Sequence, residues 1–245
     1  MTRNQTAPSD PAGLAVLLPG TGSDEVFVRS VFEVPLAAVG FRVRTPRPEA
    51  GHELAAGYLA ALDRAAEESE SGVLAGGVSF GAHLAAEWAL RNPDRCAGLL
   101  LALPAWSGAP GDSPAAMAAR HGADSVRAGG VDAALAAIDG SVAPWLAAEL
   151  GRAWRRYGPG LTDSLLAAAE RPAPTLAELA GLDVPVGVAG CVDDQVHPVA
   201  VARQWSSASR RGALCTTRLD IVGADPEALG RAAVLAWLRA GGRPV

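Results

Sequence analysis

Residues 75–85 read AGGVSFGAHLA and contain Gly77-Val78-Ser79-Phe80-Gly81, a G-x-S-x-G spacing. An apolar run, GVLAGG, leads into it and a helical pattern, FGAHLAAEWAL, follows it. In a strand–turn–helix setting such a serine stands on a tight turn with its hydroxyl presented for attack. The flanking glycines suit a turn that strains the serine backbone and leaves no room for neighbouring side chains. The helix start behind Ser79 aims backbone N–H groups at the site and favours negative charge there. The plainer alternative is a serine that only caps the helix.

Outward from this stretch, short apolar runs alternate with longer helical patterns. The runs cover 13–18, 41–44, 72–77, 97–103, 184–189 and 213–219, and helix-like stretches lie near 24–38, 51–70, 80–91, 198–210 and 225–240. Continuous apolar strands separated by helices predict an α/β, doubly wound, mainly parallel six-stranded sheet covered on both faces. Residues 104–183 break this rhythm: they are alanine-rich, with helical patterns interrupted at Gly129-Gly130, Pro144 and Gly158-Pro159. The organisation expected is a lead-in over 1–12, a core over 13–103 and 184–245, and a helical lid over 104–183. Trp106, Trp145 and Trp154 fall in that last segment. They either build a small core of their own or line a pocket above the strand ends, Trp106 and Trp145 being the candidates for substrate contact.

Composition narrows the function classes. The 245 residues suffice for one domain with a sizeable core. The net charge is −5 with no basic block and no lysine, so nothing points to nucleic acid or an anionic membrane surface. Abundant Ala, Gly, Arg and Pro fits a GC-rich bacterial genome. Three cysteines without a C-x-x-C suggest neither a disulfide framework nor a zinc site, and a cytoplasmic setting is the expectation. No apolar run reaches the ~18 residues that cross a bilayer. The polar start MTRNQTAPSDPAG has no apolar segment typical of a signal peptide.

From residue 13 onward the chain resembles the α/β-hydrolase superfamily, as a small esterase- or thioesterase-like member. The segment LLPGTGSD looks like the family's oxyanion loop. The resemblance implies that the N–H groups of Thr21 and Phe80 hold the oxyanion. A dinucleotide-binding reading of Gly20 and Gly22 fails because the third glycine position is Glu25. The family's usual first two strands have no counterpart, which implies a minimal six-stranded core.

The stretch CVDDQVHPVAVARQW resembles the family's acid loop. Gly190-x-x-Asp193 fits the spacing and favours Asp193; Asp194 fits if the loop is one residue longer. The other aspartate would cap the following helix. A metal site built on Asp193, Asp194 and His197 lacks further ligands. The family's histidine should follow the last strand, where the sequence reads IVGADPEALGR, so its place falls to Ala224, and no histidine follows residue 197. Among the four histidines His197 has the best topological claim to substitute, against a local role at the helix start; His83 reads as packing, and His52 and His121 are weaker candidates. Asp225 could act as a weak base.

The resemblance thus implies a serine hydrolase acting on an acyl ester or thioester with a mainly apolar body, without cofactor or metal. The partner expected is a small hydrophobic molecule, and the oligomeric state is left open. Two alternatives stand beside it. One is a non-hydrolytic protein of this fold, such as a cyclase, lyase, isomerase or ligand-binding protein. The other is an engineered chain inactivated by a His→Ala change.

Overall fold

The computed structural model describes residues 13–245; the expected lead-in over 1–12 lies outside the described residues. Six strands form one sheet: β1 (Gly13–Leu18), β2 (Phe41–Arg44), β3 (Val73–Val78), β4 (Cys96–Ala102), β5 (Val186–Cys191) and β6 (Gly212–Thr217). Their spatial order is β2-β1-β3-β4-β5-β6, with every neighbouring pair parallel. Each strand lies within a few residues of the apolar run that predicts it.

The helices are α1 (Glu25–Ala37), α2 (Leu54–Glu67), α3 (Phe80–Arg91), α4 (Pro114–Ile138), α5 (Pro144–Tyr157), α6 (Leu161–Glu170), α7 (Leu176–Leu179), α8 (Val199–Ala208), α9 (Leu219–Ala224) and α10 (Glu227–Arg239). The breaks read from the sequence fall where the chain turns. Gly130 kinks α4 with φ 80°, Pro144 opens α5, and Gly158 ends it with φ 57°. The last is a left-handed conformation that glycine adopts without a Cβ clash.

Side-chain alternation along the strands divides the core in two. Leu14, Val16, Leu18, Leu99 and Leu101 face α2, α3 and α8, with Tyr58, Trp88 and Trp205 as the large buried residues there. Ala15, Leu17, Leu100 and Ala102 face α1 and α10, against Phe32 and Trp237. Trp106, Trp154, Tyr157, Leu161 and Leu165 belong to the first of these clusters. Helices α4 to α6 therefore share the core of the sheet's α2/α3 face instead of building a separate one. No helix among the described residues is long and apolar enough to cross a membrane.

All strands run the same way, so the loops that follow β1, β3, β4 and β5 emerge at one edge of the sheet. In an open parallel sheet this carboxyl-end edge is where sites form.

Candidate active site

Ser79 follows β3 directly. Its φ of 53° and ψ of −115° put a non-glycine residue in a backbone region that L-residues rarely occupy. Ser79 N–H donates to the Ala102 carbonyl at 2.8 Å, which ties the strained residue to β4. The side chain makes no capping bond to α3, which removes the plain capping role. The two flanking glycines have a steric cause. A methyl group on Gly77 would stand 2.7 Å from the Gly81 carbonyl carbon, and one on Gly81 would stand 2.6 Å from the Leu18 carbonyl carbon. The turn can thus tighten only where both lack a Cβ.

The residue that meets Ser79 is His197. Its Nε2 lies 3.0 Å from Ser79 Oγ, and its Nδ1 lies 2.9 Å from Asp194 Oδ2. Burial alone would raise the Asp194 pKa, but the His197 hydrogen bond and charge, with the N–H groups of His197 and Val196, hold it below the usual carboxylate value. An ionised Asp194 only accepts, so Nδ1 carries the proton and Nε2 is left as the acceptor for the serine hydroxyl.

This geometry corrects two expectations. Asp193 does not face the histidine: its carboxylate accepts from Leu219 N–H at 2.7 Å and pairs with Arg218 at 3.3 Å. The aspartate beside His197 is Asp194, because its Oδ1 accepts from the N–H groups of Val196 (2.8 Å) and His197 (3.0 Å) and bends the loop back on itself. That bend brings the side chains of residues 194 and 197 together. The second correction concerns Ala224. It is the exposed last residue of α9, and the segment in which the resemblance puts the family's histidine is helical there. Asp225 likewise points elsewhere, to Arg231 and the Glu227 N–H.

The remaining histidines lie apart. His83 is buried between Trp106 (ring centroids 4.6 Å) and Trp205 (5.4 Å) and accepts the Ala105 N–H at 3.0 Å. Burial, with a smaller effect from His197, brings its pKa down to about 3, so it is neutral. His52 is exposed and stands 3.6 Å from Asp163, and His121 is exposed on α4. Trp106 is packed into this cluster, its carbonyl accepting from Trp205 Nε1 at 3.1 Å. Trp145 stacks on Phe27 (6.3 Å) and lies against Gly223 of α9.

The loop after β1 borders the serine. A methyl on Gly20 would stand 3.4 Å from Ser79 Cβ, and Ser23 N–H closes the turn onto the Gly20 carbonyl at 3.1 Å. Among the described residues, neither Thr21 N–H nor Phe80 N–H bonds to another backbone group outside regular structure. Asp24 (1% exposed) anchors the turn's far end. It caps α1 through Val26 and Phe27 N–H and receives Arg152 Nη2 at 2.7 Å, Arg152 Nε at 3.0 Å and Arg156 Nη1 at 3.2 Å. Burial raises the Asp24 pKa, and the two arginines and backbone donors outweigh it, leaving it lowered. Sequence reasoning missed this clamp between α5 and the β1 loop. The signals were Asp24 ahead of an apolar helix, and arginines four apart on α5. Among the described residues no group of three or more acidic, histidine or cysteine side chains could hold a metal.

No family model matches the sequence, and no curated protein does. Solved structures match over nearly the whole chain. A thermophilic esterase from Thermogutta terrifontis superposes with TM-score 0.67 at 20% identity, covering 94% of this chain and 90% of its own. An enol-lactonase from Burkholderia xenovorans gives TM-score 0.64 at 19% identity, over 92% of this chain and 91% of its own. A bromoperoxidase from Bacillus anthracis gives 0.67 at 16%, over 93% and 92%. With its six parallel strands and its serine turn after β3, the chain has the α/β-hydrolase fold.

Proposed function

We propose that the protein is a serine hydrolase that cleaves an acyl ester or thioester of a mainly apolar small molecule. The observation that carries this reading is the contiguous set Ser79 Oγ, His197 and Asp194, with separations of 3.0 and 2.9 Å. A serine hydroxyl is a weak nucleophile until a base within hydrogen-bond reach takes its proton.

In this reading Ser79 Oγ attacks the carbonyl carbon while its proton passes to His197 Nε2. Asp194 holds the imidazole by Nδ1 and stabilises the imidazolium. The oxygen that takes the charge is held by Thr21 and Phe80 N–H, Phe80 standing at the positive end of α3. Collapse expels the alcohol or thiol, which takes the proton from His197. Water then attacks the acyl-enzyme with His197 again as base, releasing the acid and restoring Ser79.

Helices α4 to α7 act as the lid. An apolar substrate suits the surroundings. Val192 and Val196 flank the acid loop and are exposed, as is Ile221, two residues beyond Asp193's partner Leu219. Trp145 and Phe27 continue that surface past Gly223.

The test is pre-steady-state hydrolysis of 4-nitrophenyl esters of increasing acyl length. A burst of one nitrophenolate per chain, lost in Ser79→Ala, is expected, with kcat/KM rising for longer acyl chains. Turnover unchanged in Ser79→Ala contradicts the reading. Absence of any turnover favours a non-hydrolytic member of the fold.

A further inference from the structure

The chain leaves β4 through Leu103 and Pro104. Leu103 turns it with φ 52°, a left-handed conformation for a non-glycine residue, and its N–H donates to the Ala189 carbonyl of β5 at 2.8 Å. Pro104 has no N–H to give. The next donor, Ala105 N–H, has left the sheet, and its residue is 1% exposed. A buried backbone donor needs a partner. His83 supplies it, Nε2 accepting at 3.0 Å.

His83 also touches both halves of the site's support. Its own N–H donates to the Ser79 carbonyl at 3.1 Å, so the ring stands one turn behind the serine. Ser79 N–H donates to Ala102, the residue before Leu103. On its other side the imidazole stacks on Trp205 of α8, with planes at 28°. Trp205 Nε1 donates to the Trp106 carbonyl, and the Trp106 and His83 rings cross edge to face. Helix α8 begins at Val199, directly after His197 and Pro198. It packs on Gly190 of β5, where a methyl would stand 3.1 Å from Ala202 Cβ. The serine side and the histidine side thus meet at one buried imidazole.

For packing alone an imidazole is a poor choice here. Its Nδ1 has no partner among the described residues, so desolvating that group costs stability. An aliphatic side chain would avoid that cost but leave Ala105 N–H unpaired. What the imidazole contributes is a fixed connection between α3, the loop after β4 and α8.

We propose that His83 is a positioning residue for the proposed reaction: by joining the 103–106 loop to Trp205 it sets the place of α8 and keeps His197 Nε2 within hydrogen-bond reach of Ser79 Oγ. This rests on the hydrolase reading of Ser79. It adds to Ser79, His197 and Asp194 a residue that touches none of the reacting atoms.

The experiment follows hydrolysis of 4-nitrophenyl butanoate by His83→Leu, which removes the acceptor, and by His83→Gln, which keeps one. His83→Leu should lower kcat at least about tenfold with KM within about twofold, because a small displacement of a base costs a large factor in rate. His83→Gln should recover most of that loss. Trp205→Phe keeps a ring for stacking and removes the link to Trp106. It should lower kcat at least about threefold, and it carries the test if His83→Leu does not fold. The discriminating comparison is made in His197→Ala. There His83→Leu should change the residual rate by less than about twofold, since a group that acts through the imidazole has nothing left to position. An equal loss in both backgrounds, or no loss where His197 is present, overturns the proposal. NMR shifts of the His197 ring nitrogens, assigned by their loss in His197→Ala and read at about pH 8.5 where imidazole is neutral, test the same claim without turnover. The wild type should show Nδ1 protonated and Nε2 as acceptor, and His83→Leu should move both toward the tautomer mixture of a free imidazole. That result supports the positioning role even if no ester is cleaved. Shifts unchanged in His83→Leu, or a wild type already at the mixture, reject it even if Ser79 is a nucleophile.

Discussion

Asp194 and His197 stand three residues apart on one loop, joined by Nδ1 to Oδ2 at 2.9 Å, and the same imidazole meets Ser79 Oγ across 118 residues of sequence. The aspartate and the imidazole are thus a local unit. The Asx bend of Asp194 fixes the backbone of the histidine it also orients. Only one long-range contact, to Ser79, remains to be set by the fold.

The first prediction follows from that compactness. His197→Ala should reduce ester kcat by about 10²–10⁴, the value of general-base assistance, with the remaining rate supplied by the oxyanion donors. Ala224→His should change kcat by less than about twofold, because position 224 is an exposed helix end. A tenfold gain in Ala224→His would show that the base belongs after β6.

A pair of amide substitutions separates the two aspartates. Asp194→Asn should lower kcat by about 10²–10⁴, since an amide cannot stabilise the imidazolium and can reverse the tautomer. Asp193→Asn should leave kcat within about threefold and lower stability by less than ~1 kcal/mol, its Arg218 partner being half exposed. Steady-state kinetics and urea midpoints on both variants read this directly. The reverse ranking would restore Asp193 as the acid.

Much of the fold was legible. The strands are continuous apolar runs because both sheet faces are covered, and Gly130, Pro144 and Gly158 interrupt the helical segments as their backbone properties dictate. The serine turn was legible because Gly77 and Gly81 are sterically required. His197 stood out as the leading candidate to face Ser79, but the aspartate beside it did not. Choosing between Asp193 and Asp194 depends on a bend of one residue, made by hydrogen bonds that spacing does not reveal. The Asp24–Arg152 pair joins residues 128 apart and leaves no local trace.

Stability should depend on pH through His83. Its folded pKa, about 3, lies below the ordinary 6.5 because burial disfavours the charged form. The stabilisation is therefore complete above pH 6.5. It is lost as pH falls from 6.5 toward 3, where the unfolded chain takes a proton that the folded chain refuses, at about 1.4 kcal/mol per pH unit. His83→Gln keeps an acceptor for Ala105 N–H without titrating. Its stability difference from wild type, measured by urea at about pH 7.5, 6 and 5, should shift toward the variant as pH falls. Parallel curves would mean that His83 does not contribute.

In the proposed reaction His197 activates Ser79, and the most direct measurement of this is the rate at which a fluorophosphonate probe modifies the chain, followed by intact mass. One adduct per chain, mapped to Ser79, absent in Ser79→Ala and slowed at least about a hundredfold in His197→Ala, is the predicted result. Modification at an unchanged rate in His197→Ala, or on another residue, would contradict it.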